Sequence, residues 1–294
     1  MVERHFCWVH PFNLDVTLSC GQAFRWEKKG EWWYEIVSGR VLKVRQIQGG
    51  IDFENIEVDA VKNYFGFNND LSKIYTRINR DEYIGELIKR FEGLRVLRQD
   101  PWECLISYIC AANKNFNGIK REVNNLARKF GAELKFENKF FYVFPSVETL
   151  ARTSAAGLRE CGLGYRAKYV LATAQTVLKE QIDLETLKKV SLEDARAELQ
   201  KFLGVGLKVA DCVLLFALNK LAAFPIDVWI KRAVLTNYTK NFPQKFVSTL
   251  QARRRLTRTE YEVINSFGRR YFGEYAGYAQ EYIYYSQIER GVVR

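Results

Sequence analysis

Between Lys201 and Arg232 the chain reads KFLGVGLKVADCVLLFALNKLAAFPIDVWIKR, an order of residues that few folds can house. Leu203 to Gly206 (LGVG) makes a turn whose glycines leave backbone N–H groups unshielded by any Cβ, so a phosphate can approach them. Lys208 follows in the first turn of a helix whose interior, Val209, Ala210 and Val213 to Leu218, is apolar nearly all round. Such a helix is buried. A helix N-terminus and partial burial both disfavour the charge on Lys208, and a neutral amine is a nucleophile. Cys212 lies four residues on, on the same helix face. Nineteen residues past Lys208, Asp227 stands between Phe224-Pro225 and the periodic run Val228, Ile230, Val234, Leu235. That is an N-cap position, from which a carboxylate can accept from helix N–H groups and still offer an oxygen to a reacting centre.

Length and charge frame this stretch. A chain of 294 residues can bury a sizeable core in two or three subdomains. Its 45 Lys+Arg against 34 Asp+Glu give a formal charge of +11 and a sequence pI near 9.3. This balance favours polyanionic partners, nucleic acid first, although ribosomal or heparin-type binders share it. The six cysteines, Cys7, Cys20, Cys104, Cys110, Cys161 and Cys212, form no C-x-x-C pair. With no signal peptide they read as reduced thiols of an intracellular protein, in a prokaryotic cytoplasm or a nucleus. The longest apolar run, Val213 to Leu218, is far shorter than a membrane span.

The first sixty residues carry a different pattern. Ala23–Trp26, Trp32–Val37 and Val41–Ile47 are aromatic or β-branched runs separated by KKGE and SGR turns, which predicts an antiparallel meander with Trp26, Trp32, Trp33 and Tyr34 packed on it. From Val58 onward the period is helical: Val58–Tyr64, Asp81–Phe91, Pro101–Ala112, Gly118–Phe130, Ser146–Glu160 and Arg166–Glu180, with four more helices after them. Asp100-Pro101 starts a helix, Ser191-x-x-Asp194 resembles a capping box, and Gly131 and Gly162 stop helices. Asn241 to Arg255 is expected to be a mobile loop, its Arg253-Arg254-Arg255 run either a solvated surface or a phosphate contact. The fold class is α+β, an antiparallel β-rich subdomain over residues 1–90 followed by a helical domain over 91–294.

Five stretches in order, SCGQAFRW (Ser19–Trp26), LRQDPWECLISYICAAN (Leu97–Asn113), GLGYRAKYV (Gly162–Val170), VGLKVADC with PIDV, and YAGYAQEYIYYS (Tyr275–Ser286), resemble the 8-oxoguanine DNA glycosylases of the helix-hairpin-helix superfamily. The resemblance runs from about His10 to Ser286. It implies a TATA-binding-protein-like N-terminal sheet, a helix-hairpin-helix at about 192–220, and a bifunctional DNA glycosylase/AP lyase acting as a monomer on duplex DNA that contains oxidised guanine. Such an enzyme must flip the damaged nucleotide from the stack into a pocket. By resemblance the Gly21 carbonyl accepts the N7 proton that distinguishes the oxidised base. Gln280 reads the Watson–Crick edge, Tyr284 and Cys212 stack on opposite faces, and Pro225 lines the pocket. Lys208 attacks the anomeric carbon and forms a Schiff base, and Asp227 stabilises the oxocarbenium-like charge. Asn113 fills the vacated stack, Tyr165 wedges beside it, and Arg166 bonds the estranged base. Gly204, Val205, Gly206, Val209 and Trp229 belong to the DNA-binding set, with a cation on the hairpin carbonyls as a further option. No iron-sulfur cluster is expected, since no cysteine follows Cys212.

The chain departs from the family pattern at four places. Gly118 stands where a second arginine usually reads the opposing cytosine, and Lys114 where asparagine is usual. One reader fewer implies a relaxed opposing-base preference, by about 1–3 kcal/mol for a good contact. Trp229 replaces a histidine, and Leu203 a proline. Two alternatives stay open: a glycosylase of the same superfamily for another damaged base, and a non-enzymatic hairpin DNA-binding module.

Overall fold

The computed structural model describes residues 4–253 and 255–292, so Arg254 of the triple-arginine run lies outside the described residues. Strands β1 (Arg4–Trp8), β2 (Glu27–Lys29), β3 (Trp32–Val37), β4 (Arg40–Ile47) and β5 (Gly50–Glu54) form one antiparallel sheet in the order β1-β5-β4-β3-β2. Alternation places side chains on two faces. Trp33, Val37, Leu42, Val44, Ile51 and Phe53 pack with residues of helices α1 (Leu14–Ser19) and α2 (Val58–Tyr64). Tyr34, Ile36 and Val41 instead meet Phe136 of a second hairpin, β6 (Glu133–Phe136) and β7 (Lys139–Tyr142). Ser38 and Gly39 both have positive φ, 51° and 74°, the two-residue turn that closes β3 onto β4.

Two features of the sheet differ from the expected meander. Ala23–Trp26 is a buried irregular segment rather than a strand. All four side chains are enclosed, which leaves no face to alternate, and the Trp26 carbonyl accepts from Lys120 Nζ at 2.8 Å instead of from a ladder. β1 and β5, which alternation does not mark, arise by pairing with each other and with β4.

The remaining helices are α3 (Leu71–Ile78), α4 (Glu82–Arg90), α5 (Pro101–Cys110), α6 (Phe116–Phe130), α7 (Val147–Arg152), α8 (Ala155–Glu160), α9 (Ala167–Glu180), α10 (Leu192–Leu199), α11 (Leu207–Phe216), α12 (Val228–Asn237), α13 (Gln244–Ala252), α14 (Arg258–Phe272) and α15 (Ala276–Val292). Among the described residues six α-helices thus follow Glu180, not four. The expected helix over Ser146–Glu160 breaks in two because Ser154 caps α8, its Oγ accepting from Gly157 N at 3.0 Å. The expected loop over Asn241–Arg255 contains α13, which buries Val247 and Leu250 while Phe242 stacks on Phe246. One large core joins α3, α4, α5, α11, α12, α14 and α15. Among the described residues no helix is long and apolar enough to cross a membrane.

Candidate active site

The hairpin between α10 and α11 depends on one glycine. Gly204 has φ +88°, and a Cβ there would lie 2.7 Å from Cγ of Tyr169. Val205 is buried and donates its N–H to the Phe202 carbonyl at 3.1 Å. Gly206 is the N-cap of α11, with no side-chain cap and open space beside its α-carbon. The first N–H groups of α11, from Leu207 to Val209, therefore have no acceptor within the helix. Val209 itself is buried, so its contribution to such a surface is its backbone.

Lys208 is half-buried in the first turn of α11, with Cys212 enclosed one turn further on. Burial pushes the Cys212 thiol well above its usual range, and the nearby Lys208 ammonium pulls the other way. Asp227 caps α12 as its position in the sequence predicts. Its Oδ1 accepts from both Trp229 N and Ile230 N at 2.9 Å, so Oδ2 stays out of the cap. The Asp227 charge bears on Cys212, and also on Glu281 and Tyr284 of α15, which packs against α12. Tyr284 borders the turn after α1, where Gly21 has φ +95° and a Cβ would approach the Tyr284 ring to 3.1 Å. Gln280 is buried on α15, and its Oε1 has no hydrogen-bond partner. Pro225 is buried in the segment leading to Asp227. Fold topology thus brings Lys208, Cys212, Asp227, Gly21 and Tyr284, drawn from both ends of the chain, around one site, with Gln280 one helical turn before Tyr284 on α15.

Asn113, Tyr165 and Arg166 form a second group. Asn113 is exposed, with φ 56°, and its Nδ2 donates to Tyr165 Oη at 3.1 Å. The Tyr165 ring meets Tyr169 edge-on at 5.9 Å, and Tyr169 packs on Gly204, so this group is joined to the hairpin. Arg166 is buried. Its Nε and Nη2 donate to the Ala112 carbonyl at 2.8 and 2.6 Å, and its Nη1 to Leu163 O at 3.3 Å. Here it shapes the turn that carries Asn113. Trp229 is half-buried, with the Arg232 guanidinium 4.9 Å over its ring. Arg253 pairs with Glu260 at 3.3 Å rather than standing free.

Residues 6–105 match the 8-oxoguanine DNA glycosylase N-terminal domain, and residues 106–255 match the HhH-GPD superfamily base excision DNA repair protein. The chain belongs to the 8-oxoguanine DNA glycosylase family. It is 32% identical to the N-glycosylase/DNA lyase OGG1 of Arabidopsis thaliana over 94% of this chain and 77% of that one. The solved structure of MBOgg1 with a low-affinity DNA ligand superposes with a TM-score of 0.89 at 32% identity, covering 99% of each chain. The 8-oxoguanine glycosylase/lyase of Clostridium acetobutylicum, in complex with duplex DNA containing cytosine opposite 8-oxoguanine, gives a TM-score of 0.87 at 32% identity, covering 99% of this chain and 98% of that one.

Helices α11 and α15 of this family member each bury an acid that sequence reading passes over. Asp211, in α11, is fully buried and holds three partners together through four hydrogen bonds. Arg196 of α10 donates from Nε and Nη2 at 2.7 Å, Tyr261 Oη donates at 2.6 Å, and Asn265 Nδ2 at 2.9 Å. Asn265 Nδ2 also reaches the Phe224 carbonyl at 2.9 Å, and Tyr261 Oη takes the Ile226 N–H at 3.3 Å. One carboxylate therefore locks both arms of the hairpin to the segment that presents Asp227. Glu281 is the second. Both were visible in the sequence as lone acids among apolar neighbours. Among the described residues, no group of three or more His, Cys, Asp or Glu could hold a metal ion.

Proposed function

We propose that this chain flips 8-oxoguanine out of duplex DNA, cleaves its glycosidic bond and then nicks the strand through a Schiff base on Lys208. The observation that carries the reading is the convergence of Lys208, at the start of α11, and Asp227, at the cap of α12, on the wall containing Cys212. The names of the relatives, glycosylase and lyase, describe the same pair of reactions. Lys208 Nζ, as the free amine, bonds to C1′ as the C1′–N9 bond breaks, and the departing base takes up a proton. Ring opening leaves an iminium to C1′. Loss of a C2′ proton then expels the 3′ phosphate, and water releases the lysine. Asp227 Oδ2, left out of the cap, stabilises the cationic sugar. The unpartnered Gln280 Oε1 suits an N–H of the purine edge, and the Gly21 carbonyl suits the N7 proton. Amine, carboxylate and water suffice for this chemistry, and one copy of the chain encloses one lesion.

Backbone N–H groups at the start of α11 serve the phosphate beside the lesion, with Asn113 and Tyr165 entering the duplex. A relaxed preference for the opposing base also fits the geometry. Gly118 offers no side chain, and even a Cβ there would lie 2.7 Å from Lys114 Cγ. Lys114 is itself paired with the buried Glu122, and Arg166 is engaged by the Ala112 carbonyl. Base-release rates opposite C, A, G and T are therefore expected to fall within about tenfold of one another. A cytosine preference of several hundredfold in single-turnover assays would refute it.

Borohydride trapping tests the main reading. With a duplex carrying one 8-oxoguanine opposite cytosine, a covalent protein-DNA adduct is expected, and none with the same duplex carrying guanine. Absence of an adduct, together with release of an alkylated base from a lesion panel, would shift the substrate to another damaged base.

A further inference from the structure

Glu122 is fully buried on α6, and residues from two separate turns meet it there. Lys114, from the turn after α5, donates Nζ to Glu122 Oε1. Arg166 Nη1, from the turn before α9, lies 3.9 Å from the same oxygen. Gly162 closes on the acid as well: a Cβ there, at φ +94°, would lie 3.5 Å from Glu122 Cγ. Three residues along α6, Asn125 Nδ2 donates to the Cys161 carbonyl at 3.2 Å, so the same helix holds that turn a second time. A buried charge is tolerated only when it is paired, and here the two cations supply the pairing.

Gly118 makes the reach of Lys114 possible. It stands one turn before Glu122 on the same face of α6, and the lysine stem crosses it. A Cβ at 118 would lie 2.7 Å from Lys114 Cγ and 2.9 Å from Cδ, so any side chain there would push the lysine off its path. The Lys114 side chain is thereby left only 21% exposed, although its neighbour Asn113 stands in the open. Arg166 is turned inward in the same way, its donors on the Ala112 and Leu163 carbonyls. The turn over residues 111–114 is thus gripped from two sides, by Arg166 at Ala112 and by Glu122 at Lys114. Between those grips Asn113 keeps φ 56° and donates Nδ2 to Tyr165 Oη at 3.1 Å.

We propose that Glu122 is a positioning residue for entry into the duplex: it draws Lys114 away from the DNA and fixes the turn that presents Asn113 beside Tyr165. The proposal rests on the reading that these two side chains enter the duplex, and adds what sets their place. Lys114 and Arg166 then serve the geometry of the turns rather than attraction to phosphate.

The test compares the full chain with Glu122→Gln, an amide of the same shape without the charge. Affinity for a duplex carrying a tetrahydrofuran abasic-site analogue is measured from about 50 to 200 mM KCl. Without its counter-charge Lys114 swings out to phosphate, so the slope of log K against log salt is expected to steepen by about 0.9. Single-turnover release of 8-oxoguanine at saturating protein is expected to fall about tenfold, because the turn loses one grip. Tighter binding at low salt combined with slower release is a split that a merely structural residue would not produce. Adding Lys114→Met to Glu122→Gln should return the slope to the wild-type value. An unchanged slope in Glu122→Gln, release at the wild-type rate, or a steep slope kept by the double variant would each overturn the proposal. Gly118→Ala covers a Glu122 variant that fails to fold, since alanine favours the helix yet displaces Lys114. The same steeper slope is expected from it, and a wild-type slope overturns the proposal. A wild type that binds DNA but releases no 8-oxoguanine defeats the substrate reading instead, and the salt slopes still decide whether Glu122 holds Lys114.

Discussion

Lys208→Gln is expected to lower base release by on the order of 10³-fold or more and to abolish the borohydride adduct, with DNA affinity held within about threefold. The side chain is half-buried in the first turn of α11, so glutamine of similar length fits without disturbing the helix. In the proposed function phosphate contacts in this region belong to backbone N–H groups, which the substitution leaves in place. Loss of chemistry with retention of binding is the pattern of a removed nucleophile. Residual nicking by Lys208→Gln would move the Schiff base to another amine. Asp227→Asn is the useful companion. It keeps a cap oxygen for Trp229 and Ile230 but not the charge, so it should slow base release while leaving α12 folded.

Asp211→Ala is expected to destabilise the chain by about 3–5 kcal/mol, because removing one member of a buried ion pair leaves the other without its counter-charge. Here Arg196, Tyr261 and Asn265 would all lose their shared acceptor. For a chain of this size the melting temperature should fall by roughly 10 °C. Activity should fall further than stability explains. Tyr261 and Asn265 also hold Ile226 and Phe224, and a segment displaced by even 1 Å misplaces Asp227. Replacing Arg196 and Asp211 together with apolar residues should recover much of the stability without recovering the rate. Equal recovery of both would show that the network serves packing alone. The pair of measurements separates those two roles.

Lys208 and Asp227 are legible in the sequence because their positions follow local rules. A glycine turn before an apolar run and an acid before a periodic helix are readable without any tertiary knowledge. The sheet is harder. β3 and β4 show themselves through alternation and the Ser38-Gly39 turn, but β1 becomes a strand only by lying against β5, Arg4 opposite Glu54. Nor does local pattern distinguish α13 from a loop, because what orders it is the burial of Val247 and Leu250 in the assembled helical domain. Bringing Gly21 beside α15 took family resemblance, since nothing in either neighbourhood predicts that the two ends of the chain meet. Glu281 and Asp211 have the weakest signal of all. A lone acid on an apolar helix says that something compensates it, but not what; for Asp211 it is a set of donors from three other residues.

The bare end of α11 has a consequence for the free protein. Gly206 places no side chain over the first N–H groups of the helix, and these groups have no acceptor within it. The helix is in that sense unfinished, and in the proposed function its missing piece is carried by the substrate. Aspartate or serine at position 206 would complete it from within, steadying the hairpin while filling the place of the phosphate. A more stable protein and a poorer reader of DNA would be the same molecule.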